Sequence, residues 1–138
     1  MSRSSDTAIT YSNMLSVENY CLLRKSVKWH DIPEKYVKLA FDRSDYIIAA
    51  YDGETPVGMA RLMADGTQAY IMDVAVRPEY QGNGIGKGLM ERIVAFIKGM
   101  DYDTMLANLM TSKKTTGFYE KSGFRTAQGM MQWFDRKE

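Results

Sequence analysis

A glycine-rich segment in the second half of the chain is the clearest indication of chemistry in the sequence. It reads Gln81-Gly82-Asn83-Gly84-Ile85-Gly86-Lys87 and leads into apolar residues at helical spacing. Three alternating glycines allow backbone amides to converge on one point without Cβ atoms in the way. The first turn of the following helix adds unpaired N–H groups and a favourable dipole. The segment therefore predicts a binding site for an anion such as a pyrophosphate.

Two common phosphate-binding loops do not fit this segment. The dinucleotide fingerprint needs glycine at its first, third and sixth places. Counting from Gly82 the sixth place is Lys87, and counting from Gly84 it is Leu89. The nucleoside-triphosphate loop needs Gly-Lys followed by Ser or Thr, whereas Lys87 is followed by Gly88. The anion site must be of another kind.

Two titratable side chains outside the loop could move protons. Asp73 lies in the strand pattern just before the loop and could act as a base, directly or through water. It could equally be a hydrogen-bonded structural carboxylate. His30 follows Trp29 between two helical patterns. Histidine titrates near neutral pH, but a single histidine in a loop is more often an ordinary surface residue.

The elements that would position these residues alternate between strand and helix patterns. Turn signals at Asp52-Gly53 and Asp65-Gly66 indicate an antiparallel meander, and strand, glycine loop, helix and strand form a parallel crossover. We therefore expect an α/β (α+β) fold with a mixed, mostly antiparallel sheet. The predicted strands are 8–11, 46–51, 57–63, 69–76, 104–109 and a closing pair at 124–125 and 130–134. The predicted helices run from Ser16 to about Lys28, onward from Asp31-Pro33, from 84 to 98 and from 115 to 122.

The composition fits one globular domain. The chain has 138 residues, of which 45% are hydrophobic and 25% charged, so a core can form without metals or disulfides. The 18 basic and 17 acidic residues balance, and a single cysteine, Cys21, excludes an internal disulfide. No signal peptide and no run of about 20 apolar residues is present. We expect a single domain over 1–138 in the cytoplasm, with no nucleic-acid, membrane or metal partner.

Three segments carry a resemblance to a known family. Gln81-x-x-Gly84-x-Gly86 resembles the acyl-CoA pyrophosphate loop of the GCN5-related N-acetyltransferase (GNAT) family. Residues 73–80 look like the central strand of that family and its exit, and residues 118–124 are similar to its closing helix. The resemblance implies an acyl-CoA N-acyltransferase fold with helices on both faces of the sheet. It also implies acetyl-CoA as co-substrate and direct attack by a primary amine in a ternary complex.

The resemblance assigns roles to particular residues. Tyr119 matches the tyrosine that often acts as general acid, although it could also be a packed core tyrosine. Asp73 is the other catalytic candidate. The family often has an asparagine about seven residues before the tyrosine, where this chain has Ser112, and Ser112 or Lys113 could substitute for it. The resemblance places these residues at the cofactor: Val74, Ala75 and Val76 along the pantetheine arm, and Gln81, Gly82, Asn83, Gly84, Ile85, Gly86 and Lys87 at the pyrophosphate.

The acceptor is less defined by the sequence. In the family the acceptor pocket lies beside the first two helices, where this chain has aromatic and Met side chains that fit an arylalkyl amine or are simply core. We expect a small-molecule amine. A protein or peptide amine and a non-catalytic acyl-CoA sensor remain alternatives. A homodimer could form through the edge of the predicted closing strands at 124–134.

Overall fold

The computed structural model describes residues 8–136 and contains one five-stranded sheet. The strands are β1 (Ile9–Ser12), β2 (Tyr46–Asp52), β3 (Thr55–Ala64), β4 (Gln68–Val76) and β5 (Leu106–Asn108). The helices are α1 (Val17–Ser26), α2 (Glu34–Arg43), α3 (Ile85–Lys98) and α4 (Thr116–Glu120). Short 3-10 turns lie at Pro78–Tyr80 and Lys113–Thr115.

The strands lie side by side in chain order. The pairs β1–β2, β2–β3 and β3–β4 are antiparallel, and β4–β5 is parallel. The turn at Gly53 joins β2 to β3, and its φ of 62° suits glycine. The crossover from β4 to β5 passes through α3. The predicted mixed, mostly antiparallel sheet with one parallel crossover is confirmed.

Helices cover both faces of the sheet, as predicted. On one face α3 packs against apolar side chains of β2, β3 and β4, with Leu89, Met90 and Ile93 fully buried. On the other face α1 and α2 contribute a second cluster, in which Leu23 and Val37 are buried with Met59 of β3. The sheet is therefore the middle layer of three.

Local sequence explains where the helices begin and end. The hydroxyl of Ser16 accepts a hydrogen bond from the Asn19 N–H at 3.0 Å, which caps α1 as predicted. That helix ends at Ser26, and Lys28 adopts a left-handed φ of 64°, so the predicted end at Lys28 lies two residues too far along. Pro33 directly precedes α2 and needs no N–H there. Gly84 directly precedes α3.

The predicted closing strands at 124–125 and 130–134 are wrong, because the structure has no strand between Phe124 and Arg136. The predicted strand over 104–109 is reduced to the three residues of β5. A two-stranded ribbon is marginal by itself, and a three-residue edge offers little to pair with. Met130, Met131, Trp133 and Phe134 are exposed as a result.

Candidate active site

The glycine loop (residues 81–87) joins the 3-10 turn after β4 to the first turn of α3. Gly82 and Gly84 have φ values of 83° and 80°, which only glycine adopts without strain. The first helical hydrogen bond runs from the Gly88 N–H to the Gly84 carbonyl at 3.0 Å. Within residues 8–136, no acceptor pairs with the six backbone N–H groups from Gly82 to Lys87. Consecutive unpaired donors at a helix N-terminus suit an anionic group such as the pyrophosphate of acetyl-CoA.

Two side chains of the loop hold its backbone in shape. The Gln81 Nε2 group donates to the Val76 carbonyl at 3.0 Å. The Asn83 Nδ2 group donates to the Tyr80 carbonyl at 3.0 Å. Both residues were predicted at the cofactor. The structure directs the Gln81 side chain to the end of β4 and the Asn83 side chain to the 3-10 turn, and the amides of residues 82–87 stay unpaired within residues 8–136. The Lys87 side chain is exposed in the first turn of α3.

A gap opens between β4 and β5 next to this loop. The two strands pair from Gln68 with Leu106 to Tyr70 with Asn108, and the pairing stops there. Ile71–Val76 continues toward the loop without β5 as a neighbour. The residues predicted to contact the pantetheine arm, Val74, Ala75 and Val76, therefore lie on the strand that borders the gap.

A β-bulge interrupts the pairing of β3 with β4 shortly after β4 has lost β5 as its other neighbour. Arg61 of β3 is opposite Met72, and Met59 is opposite Ala75, so the two residues Asp73 and Val74 face one residue of β3. Asp73 has a φ of 57°, in the left-handed region. Aspartate tolerates that region better than most residues, but it still needs support from its surroundings.

Three donors surround the Asp73 carboxylate. The Tyr20 hydroxyl donates to Oδ2 at 2.6 Å, Arg61 Nε donates to Oδ2 at 2.6 Å, and Arg24 Nη1 donates to Oδ1 at 3.1 Å. The Asp73, Arg24 and Arg61 side chains are 11%, 9% and 14% exposed. Burial, followed by the neighbouring Asp73 charge, raises the pKa of Tyr20 to about 12. This group of four side chains is the Asp73 cluster.

Sequence reasoning missed Tyr20, Arg24 and Arg61 as partners of Asp73. Tyr20 and Arg24 lie 53 and 49 residues from Asp73 in the chain. An arginine and a tyrosine one helical turn apart on α1 were the one available signal, and that pattern is common on helices.

Tyr119 lies near the glycine loop on the face that α3 covers. A Cβ atom on Gly86 would approach the Phe118 ring to 3.0 Å, so α4 packs directly on the first turn of α3. The Tyr119 side chain packs between Phe118 and Phe124, at ring-centroid distances of 4.9 and 6.5 Å. Tyr119 is 9% exposed, and burial raises the pKa of its phenol. Its hydroxyl has no hydrogen-bond partner among residues 8–136.

Ser112 precedes the 3-10 turn that leads into α4. Its carbonyl accepts a hydrogen bond from the Thr115 N–H at 3.1 Å, and its side chain is exposed. The hydroxyl is 3.4 Å from Thr115 Oγ1. The role predicted for Ser112 at the cofactor stays a prediction.

The loop between α1 and α2 (residues 27–33) carries the remaining candidate, His30. The His30 ring meets Trp133 edge to face at 5.5 Å. The Trp29 ring lies against the Arg24 guanidinium at 5.3 Å. These aromatic side chains form a surface on the face of the sheet opposite Tyr119.

Two kinds of feature are absent from residues 8–136. No group of three or more His, Cys, Asp or Glu side chains there is arranged to hold a metal ion. In the same stretch, no helix has both the length and the apolar character that crossing a bilayer requires.

Comparison with known proteins assigns the family. Residues 14–124 match the Acetyltransferase (GNAT) family. The uncharacterized N-acetyltransferase ycf52 of Gracilaria tenuistipitata var. liui is 32% identical over 122 residues, which are 85% of this chain and 64% of that protein. Chloroplastic serotonin N-acetyltransferase 2 of Oryza sativa subsp. japonica is 32% identical over 96 residues, which are 66% of this chain and 47% of that protein. The chain thus spans less than two thirds of the length of either relative.

A solved structure supports the same assignment. The crystal structure of a probable acetyltransferase from meticillin-resistant Staphylococcus aureus has a TM-score of 0.85 to this chain at 25% sequence identity. The match covers 92% of this chain and 100% of that one. The chain belongs to the GNAT family of acetyl-CoA-dependent N-acetyltransferases and has the acyl-CoA N-acyltransferase fold.

Proposed function

We propose that this protein transfers the acetyl group of acetyl-CoA to the primary amine of a small molecule by direct attack in a ternary complex. The observation that carries the proposal is the run of six amides from Gly82 to Lys87, which have no partner in the described part of the chain and lie beside the gap between β4 and β5. The amides suit the pyrophosphate, and the gap suits an extended arm that ends in a thioester. Acetyl-CoA supplies the activated acetyl group.

The chain's own groups bind and orient that arm. The edge of β4 at Val74–Val76, which β5 does not pair with, offers backbone groups to an extended amide chain, as a neighbouring strand would; the Val76 carbonyl already accepts from Gln81. A backbone N–H on this edge is also a suitable donor to the oxyanion that forms when the amine attacks. The loop is shaped in advance by Gln81 and Asn83, so little order has to be gained on binding.

Tyr119 is the proposed proton donor. The amine nitrogen forms a bond to the acetyl carbon and releases a proton to solvent. The carbon–sulfur bond breaks, and the sulfur leaves as a thiolate that takes a proton from Tyr119, which solvent then reprotonates. The Tyr119 hydroxyl is buried and has no partner among residues 8–136, and its raised pKa keeps it protonated throughout the physiological range. Because a phenol is a weaker acid than a thiol, transfer is feasible only as the carbon–sulfur bond breaks.

For Asp73 the geometry favours structural support over a role as general base. Its two oxygens already accept three hydrogen bonds, two of them from arginines. A proton arriving on this carboxylate would weaken both ion pairs. An amine that reaches the site can instead lose its proton to solvent through the open gap.

The acceptor is proposed to be an arylalkyl amine. Trp29, His30 and Trp133 present aromatic faces on the side of the sheet where α1 and α2 lie, and aromatic surfaces bind both apolar rings and cations. The name of the rice relative, serotonin N-acetyltransferase 2, points the same way. The open form of this surface leaves a peptide amine as the second acceptor to test.

The test is thiol release from acetyl-CoA with separate pools of arylalkylamines, polyamines, amino acids, amino sugars, aminoglycosides and short peptides. Turnover in the arylalkylamine pool is the expected result. Turnover only with peptides would replace the small-molecule acceptor by a protein one. Stabilisation by acetyl-CoA without turnover in any pool would indicate a sensor. Absence of stabilisation by acetyl-CoA at about 100 times a typical dissociation constant, where about 2.7 kcal/mol is expected, would contradict the cofactor itself.

Two other expectations stay predictions. A homodimer was predicted to form through the closing strands at 124–134, which the structure does not contain. Sedimentation of the purified protein tests whether a dimer forms by another surface. The cytoplasmic location stays a prediction as well.

A further inference from the structure

A buried arginine on α1 joins the α1–α2 loop to the bulge of β4. Arg24 is 7% exposed. Its Nε and Nη2 groups donate to the His30 carbonyl at 3.2 and 3.1 Å, and its Nη1 group donates to Asp73 Oδ1 at 3.1 Å. One guanidinium thus connects a loop on the surface to the strand that borders the gap.

The connection needs the planar fork of arginine. Two nitrogens converge on one carbonyl oxygen while the third points to a carboxylate in another element. A lysine ammonium in this position could keep the charge beside Asp73 but could not reach both partners with this geometry. The loop backbone would then lose its anchor even though the ion pair survived.

The side chains of the loop depend on this anchor. The Trp29 ring lies 5.3 Å from the guanidinium. The backbone bond from the Trp29 N–H to the Arg24 carbonyl, at 3.0 Å, does not use the side chain and should persist in an Arg24 variant. His30, whose carbonyl is bound, places its ring against Trp133. The position of the aromatic surface relative to β4 is therefore set through Arg24.

We propose that Arg24 is a positioning residue that sets amine recognition by fixing the α1–α2 loop against the gap between β4 and β5. The inference rests on the proposed function, because it takes the aromatic surface on this loop as one wall of the acceptor site. At 7% exposure, Arg24 offers little surface to either substrate. Tyr119 and the helix α3 lie on the other face of the sheet, so acetyl-CoA binding is not expected to depend on it.

Arg61 provides a matched control within the same cluster. Arg61 also donates to Asp73, at 2.6 Å, but its other partner is the Ser44 hydroxyl at 3.3 Å at the end of α2. Arg24→Lys and Arg61→Lys therefore disturb the same carboxylate, and only the first should release the loop. Relative to wild type, Arg24→Lys should raise the KM for the amine about tenfold, the effect of losing one charge-assisted hydrogen bond, with a smaller change in kcat. The acetyl-CoA dissociation constant should stay within about twofold, and Arg61→Lys should leave the amine KM within about twofold.

Tryptophan fluorescence gives a measure of the loop that does not require turnover. The chain has two tryptophans, so Trp133→Phe leaves Trp29 as the single emitter. Trp29 is 37% exposed, and release of the loop should raise the acrylamide quenching constant about twofold. Adding Arg24→Lys to Trp133→Phe should produce this rise, and adding Arg61→Lys should not.

The outcomes separate this inference from the proposed function. The acceptor in the kinetic assay is whichever of 2-phenylethylamine, spermidine or a free N-terminal peptide the wild-type protein acetylates. Equal effects of the two lysine variants on KM, or no effect of Arg24→Lys on KM and quenching, would overturn the inference while acetylation stands. A wild-type protein that acetylates none of the three contradicts the proposed function and with it the inference. If Arg24→Lys does not fold, Trp29→Ala takes its place, and an unchanged amine KM there would likewise overturn the inference.

Discussion

Replacing Asp73 by asparagine tests whether this residue supports the fold or acts in catalysis. The substitution keeps the shape and removes the charge that Arg24 and Arg61 share, at side-chain exposures of 9% and 14%. Removing one partner of a buried ion pair costs about 3–5 kcal/mol. Since asparagine keeps one carbonyl oxygen for a hydrogen bond, we expect the lower value, a loss of about 3 kcal/mol in unfolding free energy. At roughly 3 °C per kcal/mol for this size, the melting temperature should fall about 10 °C.

The assay is urea unfolding followed by circular dichroism, because urea does not screen charges as guanidinium does. With a slope of about 2 kcal/mol per molar urea, the midpoint should fall by about 1.5 M. Asp42→Asn is the matched control, since Asp42 is exposed on α2 and the change in net charge is the same. An exposed residue without partners should change stability by less than about 0.5 kcal/mol.

Kinetics of Asp73→Asn decide whether Asp73 acts in catalysis. Loss of a general base lowers kcat by about 10²–10⁴-fold, whereas loss of support should lower it less than about tenfold in protein that is still folded. A loss of stability below about 1 kcal/mol would refute the cluster as a source of stability. A hundredfold loss of kcat in a stable variant would restore Asp73 as the base.

Three other substitutions test the remaining parts of the site. Tyr119→Phe should lower kcat about a hundredfold with the acetyl-CoA dissociation constant unchanged in calorimetry; equal turnover would remove the role as acid. Gly84→Ala, at a φ of 80°, should cost about 1–3 kcal/mol of stability and weaken acetyl-CoA binding about tenfold. The control Gly53→Ala, at a φ of 62°, should lower stability without changing acetyl-CoA binding. Weaker acetyl-CoA binding in both variants would contradict the role of the glycine loop. Because the pKa of Tyr20 is raised to about 12, its contribution is complete below pH 10 and is lost as the pH rises toward 12. Tyr20→Phe should flatten that alkaline loss in urea titrations, and an unchanged pH dependence would show that another group causes it.

The glycine loop and the order of the elements could be predicted because their signals are local. Gly82 and Gly84 need positive φ values, and the apolar spacing after Ile85 defines α3 within a few residues. The turns at Gly53 and Gly66 likewise depend on their own backbone conformation. The glycine loop was predicted most clearly because its backbone conformation depends mainly on its own residues.

The closing strands could not be predicted because strand formation depends on a neighbour. The segment Met130–Phe134 has strand-like residues, but its pairing requires an edge, and β5 ends at Asn108. The length of β5 is itself set by how far β4 stays beside it. The side chains of this segment favour a strand, but the prediction was wrong because no neighbouring strand is there to pair with it.

The gap between β4 and β5 could not be predicted from any local sequence pattern. β4 leaves β5 just before the bulge at Asp73, a residue held at a φ of 57°. A left-handed non-glycine residue costs about 1–3 kcal/mol unless its surroundings hold it there. The side chains that bind the Asp73 carboxylate are Tyr20 and Arg24 of α1 and Arg61 of β3. The charges on one face of the sheet thus stabilise the bulge on the strand that borders the gap, and Arg24 also binds the carbonyl of the loop beside it. The stability of the fold and the geometry offered to the amine are therefore linked through Arg24, so that Arg24→Lys should change both, whereas Arg61→Lys should lower stability and leave amine recognition in place.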